Sequence, residues 1–140
     1  MEQVKLMPGY ATALGADPYT KYRQIDLVGR TAEADGPALV QLLYDELVRA
    51  LRVAAWATEK RDYALKSEKV TRATAILFAL EAGLDFDLGG DVSHTLARLY
   101  GGARATIVDA SIGQDPRPFR DVAGSLEEIA AAWAQVRAAA

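Results

Sequence analysis

Side chains that commonly do chemistry are scarce in this chain of 140 residues. It has one histidine, His94, and no cysteine. A histidine-based metal cluster, a triad or an acid–base pair would therefore have a single ring to build around, and thiolate chemistry and disulfides are closed to it. His94 sits beside Ser93, off the apolar stripe of its helix, with no partner residue signalled; it reads as a solvated or rim histidine. A carboxylate-bridged metal site in a helical bundle needs inward Glu residues and Glu-x-x-His pairs, and no Glu-x-x-His occurs. Glu127-Glu128 lie between the apolar Leu126 and Ile129, as on a solvated helix face.

Two further patterns could carry binding chemistry. The pair Gly89-Gly90 suggests a phosphate loop, but no strand precedes it and no Lys-Ser or Lys-Thr follows, so it fits better as a tight corner between helices. The cations Lys60, Arg61, Lys66, Lys69 and Arg72 crowd one stretch, yet Asp62, Glu68 and alanines interrupt them. That mixture reads as a solvated face, with an acidic partner surface as the other reading.

A net charge of −3 and a pI near 5.2 provide no broad positive field for nucleic acid or an anionic membrane surface. The opening residues lack the apolar core of a signal peptide, and no window reaches the length of charge-free apolar sequence needed for a membrane span. The expectation is a cytoplasmic chain without membrane insertion, in which 51% hydrophobic content supports one folded domain.

The elements that would position these residues are helices. Residues 1–36 carry Pro8, Gly9, Gly15, Pro18, Gly29 and Gly36 without a sustained apolar period, and are expected to form a flexible tail and covering segment, part of which packs on the domain. Residues 37–140 are expected to form the domain itself. Asp35 and Pro37 suit the start of a first helix with Val40, Leu43, Leu47, Leu51 and Ala54 on one stripe. Asp62 suits the cap of a second helix through Val70, Ala73, Leu77, Leu80 and Leu84. After Gly89-Gly90-Asp91, a third is expected to present Val92, Leu96, Leu99, Ala103, Thr106 and Ala110. Asp115 and its neighbouring prolines open a fourth, with Phe119, Val122, Leu126, Ile129, Trp133 and Val136 in heptad spacing. The fold predicted is all-α: an up-down-up-down antiparallel four-helix bundle with an irregular N-terminal segment packed against it.

The positive signal is surplus apolar surface. Leu39, Leu42, Val53, Trp56, Leu65, Ile76, Phe78, Tyr100, Ile107 and Val108 fall off the stripes. Periodicity leaves two explanations open: thicker core faces, or grooves that receive another helix.

An ordered set of residues resembles the flagellin export chaperone family, FliS. It comprises Tyr22 and Gln24, Leu39, Leu42-Leu43-Tyr44-Asp45, Gly83-Leu84-Asp85, Gly89-Gly90, Leu96 with Leu99-Tyr100, and Leu126 to Ala132-Trp133. The resemblance spans roughly residues 19–137. It departs from the family at Glu46, at Gly36-Pro37, and at Gly101-Gly102, where two glycines inside a helix are expected to bend or loosen it.

The resemblance implies a non-enzymatic, cofactor-free bundle. Its partners would be the disordered C-terminal segment of flagellin and a component of the flagellar export gate. It turns the apolar surplus toward client grooves, with Leu42, Ile76, Tyr100 and Ile107 as expected client contacts. Tyr19 and Tyr22 are expected in the covering segment or at the gate. The competing reading is a bundle that self-associates through the same surface, without a flagellin client.

Overall fold

The computed structural model describes residues 36–139. The expected tail, its Tyr19 and Tyr22, and the Asp35 cap lie outside the described residues. Four helices follow in order: α1 (Gly36–Lys60), α2 (Tyr63–Ala82), α3 (Phe86–Ile112) and α4 (Arg117–Ala139). Among the described residues there is no strand. Each helix packs on two others, α1 on α2 and α4, and α3 on α2 and α4, so α1 and α3 face each other across the diagonal. Short corners force neighbours to run antiparallel, as the all-α reading predicts.

The corners form for local reasons. Helix α1 ends with Arg61 N–H donating to Thr58 O (3.2 Å) and Asp62 N–H to Ala57 O (2.9 Å). This is a Schellman closure, in which Arg61 takes the left-handed position (φ 57°) that glycine usually fills. Asp62 then caps α2 as expected, its Oδ1 accepting from Leu65 N–H at 3.1 Å. Asp115 opens α4 by accepting from Arg117 N–H at 3.0 Å.

The second corner differs from the expectation. It lies at Gly83-Leu84-Asp85, one turn before the glycine pair, with Asp85 Oδ1 accepting from Asp87 N–H (2.9 Å) and Leu88 N–H (3.0 Å). Gly89-Gly90 sits inside α3, and Gly90 (φ 53°, ψ −129°) kinks the helix after its first turn. An aspartate that satisfies two orphan N–H groups starts a helix more strongly than a glycine pair does. The glycines Gly101 and Gly102, where a bend was expected, are helical: Gly90 is the non-helical residue within α3.

The kink resets the face that α3 turns inward. Of the expected stripe, Ala103 and Ala110 are buried and Leu96 and Leu99 partly so, whereas Val92 and Thr106 are exposed and Ser93, Tyr100 and Ile107 take the inward positions. The expected stripes of α1 and α2 hold, although Val70 and Leu84 lie at the core margin. On α4 the stripe centres on Phe119, Ala123, Leu126, Ala130 and Trp133, whose small residues bring the helix close to its neighbours, while Val136 is exposed. Fully burying one large apolar side chain stabilises by about 1.5–3 kcal/mol, so this shared interior is the main support of the bundle.

Candidate functional site

The residues expected to touch a client separate sharply. Ile76, Tyr100 and Ile107 have no exposed surface and belong to the core, while Leu42 is half-buried. For the first three the off-stripe assignment is corrected. Helix α3 is rotated relative to the expected phase, and α2 buries Ile76 beside Leu77 because it faces two neighbours at once. Leu39 is also core. Thicker core faces account for part of the apolar surplus.

Tyr100 contributes a polar contact inside the core. Its hydroxyl lies 2.5 Å from that of Tyr44, joining α3 to α1 across the diagonal. A buried hydroxyl needs a partner, and this pairing fixes the height of one helix against the other. At the N-terminal end of α3, Asp85 O accepts from both Gly89 N–H (2.8 Å) and the buried Ser93 hydroxyl (2.9 Å). At its other end Gly113 O accepts from Lys66 Nζ at 2.6 Å. Lys66 is therefore not on a solvated face, as its cluster suggested; it is buried, with its ammonium 6.0 Å from the Phe119 ring centre. A cation at a helix C-terminus meets the negative end of the dipole and an orphan carbonyl.

Apolar side chains border the surface in three places. The first is the outer strip between α2 and α3. Arg104 stacks 4.2 Å from the Phe78 ring centre and pairs with Glu81. Val108 and Ile112 follow Arg104 at four-residue steps, so they continue the same face. Phe78 is 59%, Val108 51% and Ile112 80% exposed.

The second is the seam between α3 and α4, the most sparsely packed neighbours of the bundle. It opens as a cleft of about 410 Å³ lined by Leu99, Gly102, Thr106, Val122 and Leu126, with Arg98 and Asp121 also on its walls. A Cβ added at Gly102 would meet nothing within 4 Å, so the missing side chain widens the opening. The third is a groove of about 540 Å³ along α1, lined by Val48, Val53, Trp56, Leu65 and Ala130, with charged side chains of Asp45, Arg49, Arg52 and Glu127.

These surfaces offer no catalytic constellation. His94 is exposed, its ring 4.8 Å from that of Phe86, as a rim histidine would be. Among the described residues no three His, Cys, Asp or Glu side chains gather into a metal site. The large titration shift is also structural. Arg117, through side-chain and backbone hydrogen bonds, holds the Asp115 carboxyl down at about 2, and Asp115 in turn raises the Arg117 guanidinium. No described helix is long and apolar enough to cross a membrane.

Sequence reasoning marked Phe78, Val108 and Trp56 as surplus but did not place them on separate faces. The four-residue step from Arg104 through Val108 to Ile112 was the signal available for the strip.

A bundle with a filled core, no reactive cluster and several open apolar faces is suited to binding another chain. The family model described as Flagellar protein FliS matches residues 16–140. The flagellar secretion chaperone FliS of Salmonella typhimurium is 30% identical over 116 residues, covering 82% of this chain and 86% of the relative. The flagellar secretion chaperone FliSB of Pseudomonas aeruginosa is 27% identical over 113 residues, covering 81% and 90%. The flagellar secretion chaperone FliS of Bacillus subtilis is 27% identical over 119 residues, covering 85% of each. With the family match running through all four helices, the chain belongs to the FliS family of flagellar proteins, chaperones rather than enzymes.

Proposed function

We propose that this protein is a cytoplasmic chaperone of flagellar secretion that binds the disordered C-terminal segment of flagellin, prevents its premature polymerisation and delivers it to the export gate. The observation that carries the reading is the strip of Phe78, Val108 and Ile112: the interior is already complete, yet three large apolar side chains remain outside it on one face. The α3–α4 seam adds a second apolar opening on the other side of α3. A disordered segment that folds on binding loses chain entropy, which apolar burial in preformed grooves offsets. Amphipathic guest helices laid along both sides of α3 would gain that burial.

Of the contacts expected from the sequence, Leu42 remains a surface contributor, while Ile76, Tyr100 and Ile107 support the binding surface from beneath. Tyr19 and Tyr22 are assigned to a segment that covers the client surface or meets the export gate. Tyr22→Ala with unchanged flagellin affinity and unchanged motility would remove that assignment.

Calorimetric titration against full-length flagellin and flagellin lacking its C-terminal segment tests the reading. A one-to-one complex that disappears with the truncation is expected. Binding that survives truncation, or a stable homo-oligomer indifferent to flagellin, would refute it.

A further inference from the structure

The groove along α1 lies away from the strip of Phe78, Val108 and Ile112, because α1 is diagonal to α3; of the proposed client contacts, Leu42 shares its helix, one turn before Asp45 and outside the groove lining. Its make-up is also different. Arg49, Arg52, Trp56 and Lys60 follow one another at steps of three and four and share an outer face. Val48, Val53, Leu65 and Ala130 provide the apolar lining, and Trp56 leaves half its surface (50%) in solvent. Arg49 is largely exposed, and its ion-pair contact with Glu46, a residue three positions away, is a loose 3.7 Å. Lys60 is exposed and has no ion pair among the described residues. Arg52 pairs with Glu127 at 2.8 Å, tying α1 to α4 beside the groove.

We propose that this face is a second docking surface, for an acidic amphipathic helix of a partner protein. The lining residues from Asp45 to Trp56 extend over about three turns of α1, a length that suits a helix; Trp56 suits an apolar anchor, and the under-used cations Arg49 and Lys60 suit carboxylates on the guest's polar side. Asp45 and Glu127 beside the groove disfavour a polyanion such as nucleic acid or an anionic bilayer, which would present charge everywhere rather than on one stripe. This is the acidic-partner reading of the basic stretch, moved from the second helix to the first.

The test uses Trp56 as its own reporter, since Trp133 is buried and already in apolar surroundings. The full chain is titrated with a synthetic amphipathic peptide of about 20 residues, long enough to form a helix, built from leucine, alanine and glutamate. The same peptide with lysine for glutamate and phosphatidylglycerol vesicles serve as comparisons. The glutamate peptide is expected to shift Trp56 emission to the blue and to weaken about tenfold or more in Arg49→Glu/Lys60→Glu, a double reversal of exposed charges. Flagellin affinity is expected to stay unchanged in that variant.

Equal binding of both peptides, or an unaltered titration in the double variant, would overturn the proposal. Preferential binding of the vesicles would overturn it in favour of a membrane surface. A concentration-dependent dimer abolished by the same variant would overturn it in favour of a second copy. Loss of flagellin binding by the same factor would overturn it by making the groove part of the client site.

Discussion

The glycines of α3 look alike in the sequence, but the structure assigns opposite signs to their replacement by alanine. At Gly101 and Gly102 the backbone is helical and an added Cβ would meet nothing within 4 Å. Alanine there removes only the entropic penalty of glycine, stabilising by about 0.5–1 kcal/mol at each site. At Gly90 the space is equally open, but φ 53° with ψ −129° is a conformation that L side chains rarely adopt. Forcing alanine into it costs about 1–3 kcal/mol or straightens the kink and turns the N-terminal part of α3 out of register.

Gly89 lies between these cases. Its new Cβ would stand 1.9 Å from Ser93 Oγ, so the serine must rotate and give up its bond to Asp85 O. That loss, about 1 kcal/mol, roughly cancels the gain in helix propensity. With about 4 °C per kcal/mol for a domain of this size, thermal unfolding followed by circular dichroism should show Gly90→Ala lower by roughly 4–12 °C. Gly101→Ala and Gly102→Ala should rise by about 2–4 °C, with Gly89→Ala close to wild type. Gly102→Ala should also weaken flagellin binding, because the methyl would enter the α3–α4 cleft. A neutral Gly90→Ala, or destabilising changes at Gly101 and Gly102, would refute the reasoning that the kink, and not the glycine pair further along, shapes α3.

Other perturbations test the corners. Lys66→Met should lower stability by about 1–3 kcal/mol in urea titration, since it leaves Gly113 O without its charged donor at a part-buried site. Arg61→Gly should raise it by about 1 kcal/mol, because glycine takes the left-handed position of the Schellman closure without strain. The Asp115 carboxyl is held at about 2 in the folded state, below its ordinary value of 3.8. Its contribution is therefore present above about pH 4 and is lost as pH falls through 2. Denaturant midpoints compared between pH 5 and pH 2 should fall more for wild type than for Asp115→Asn. Val108→Asp with Ile112→Asp should abolish flagellin binding without lowering the unfolding temperature, since both side chains are exposed; intact binding would move the client surface elsewhere.

Much of the fold was legible because it depends on local rules. The stripe of Val40, Leu43, Leu47 and Leu51 identifies a buried helix face through periodicity alone, and Asp62 and Asp115 signal their helix starts because a capping carboxylate acts within three residues. The order of motifs through Trp133 pointed to this family for the same reason: residue types and spacings are properties of the chain itself.

Phase and depth were not local. Whether Gly83-Leu84-Asp85 or Gly89-Gly90 makes the corner depends on a competition between capping bonds and glycine freedom, settled only when Ser93 packs inside and donates to Asp85 O. Shifting that corner by one turn places Tyr100 against Tyr44 and leaves Val92 in solvent. A helix has nearly the same local energy whichever face it buries; contacts with its neighbours select one rotation. Tertiary packing thus turned Ile76, Tyr100 and Ile107 from surface candidates into core, separated Phe78, Val108 and Ile112 from the Trp56 groove, and buried Lys66 against the end of another helix. The sequence determined that there would be four amphipathic helices with apolar surface to spare. Only their mutual packing, which fixes rotations that local energetics leave free, decided which of that surface stayed outside.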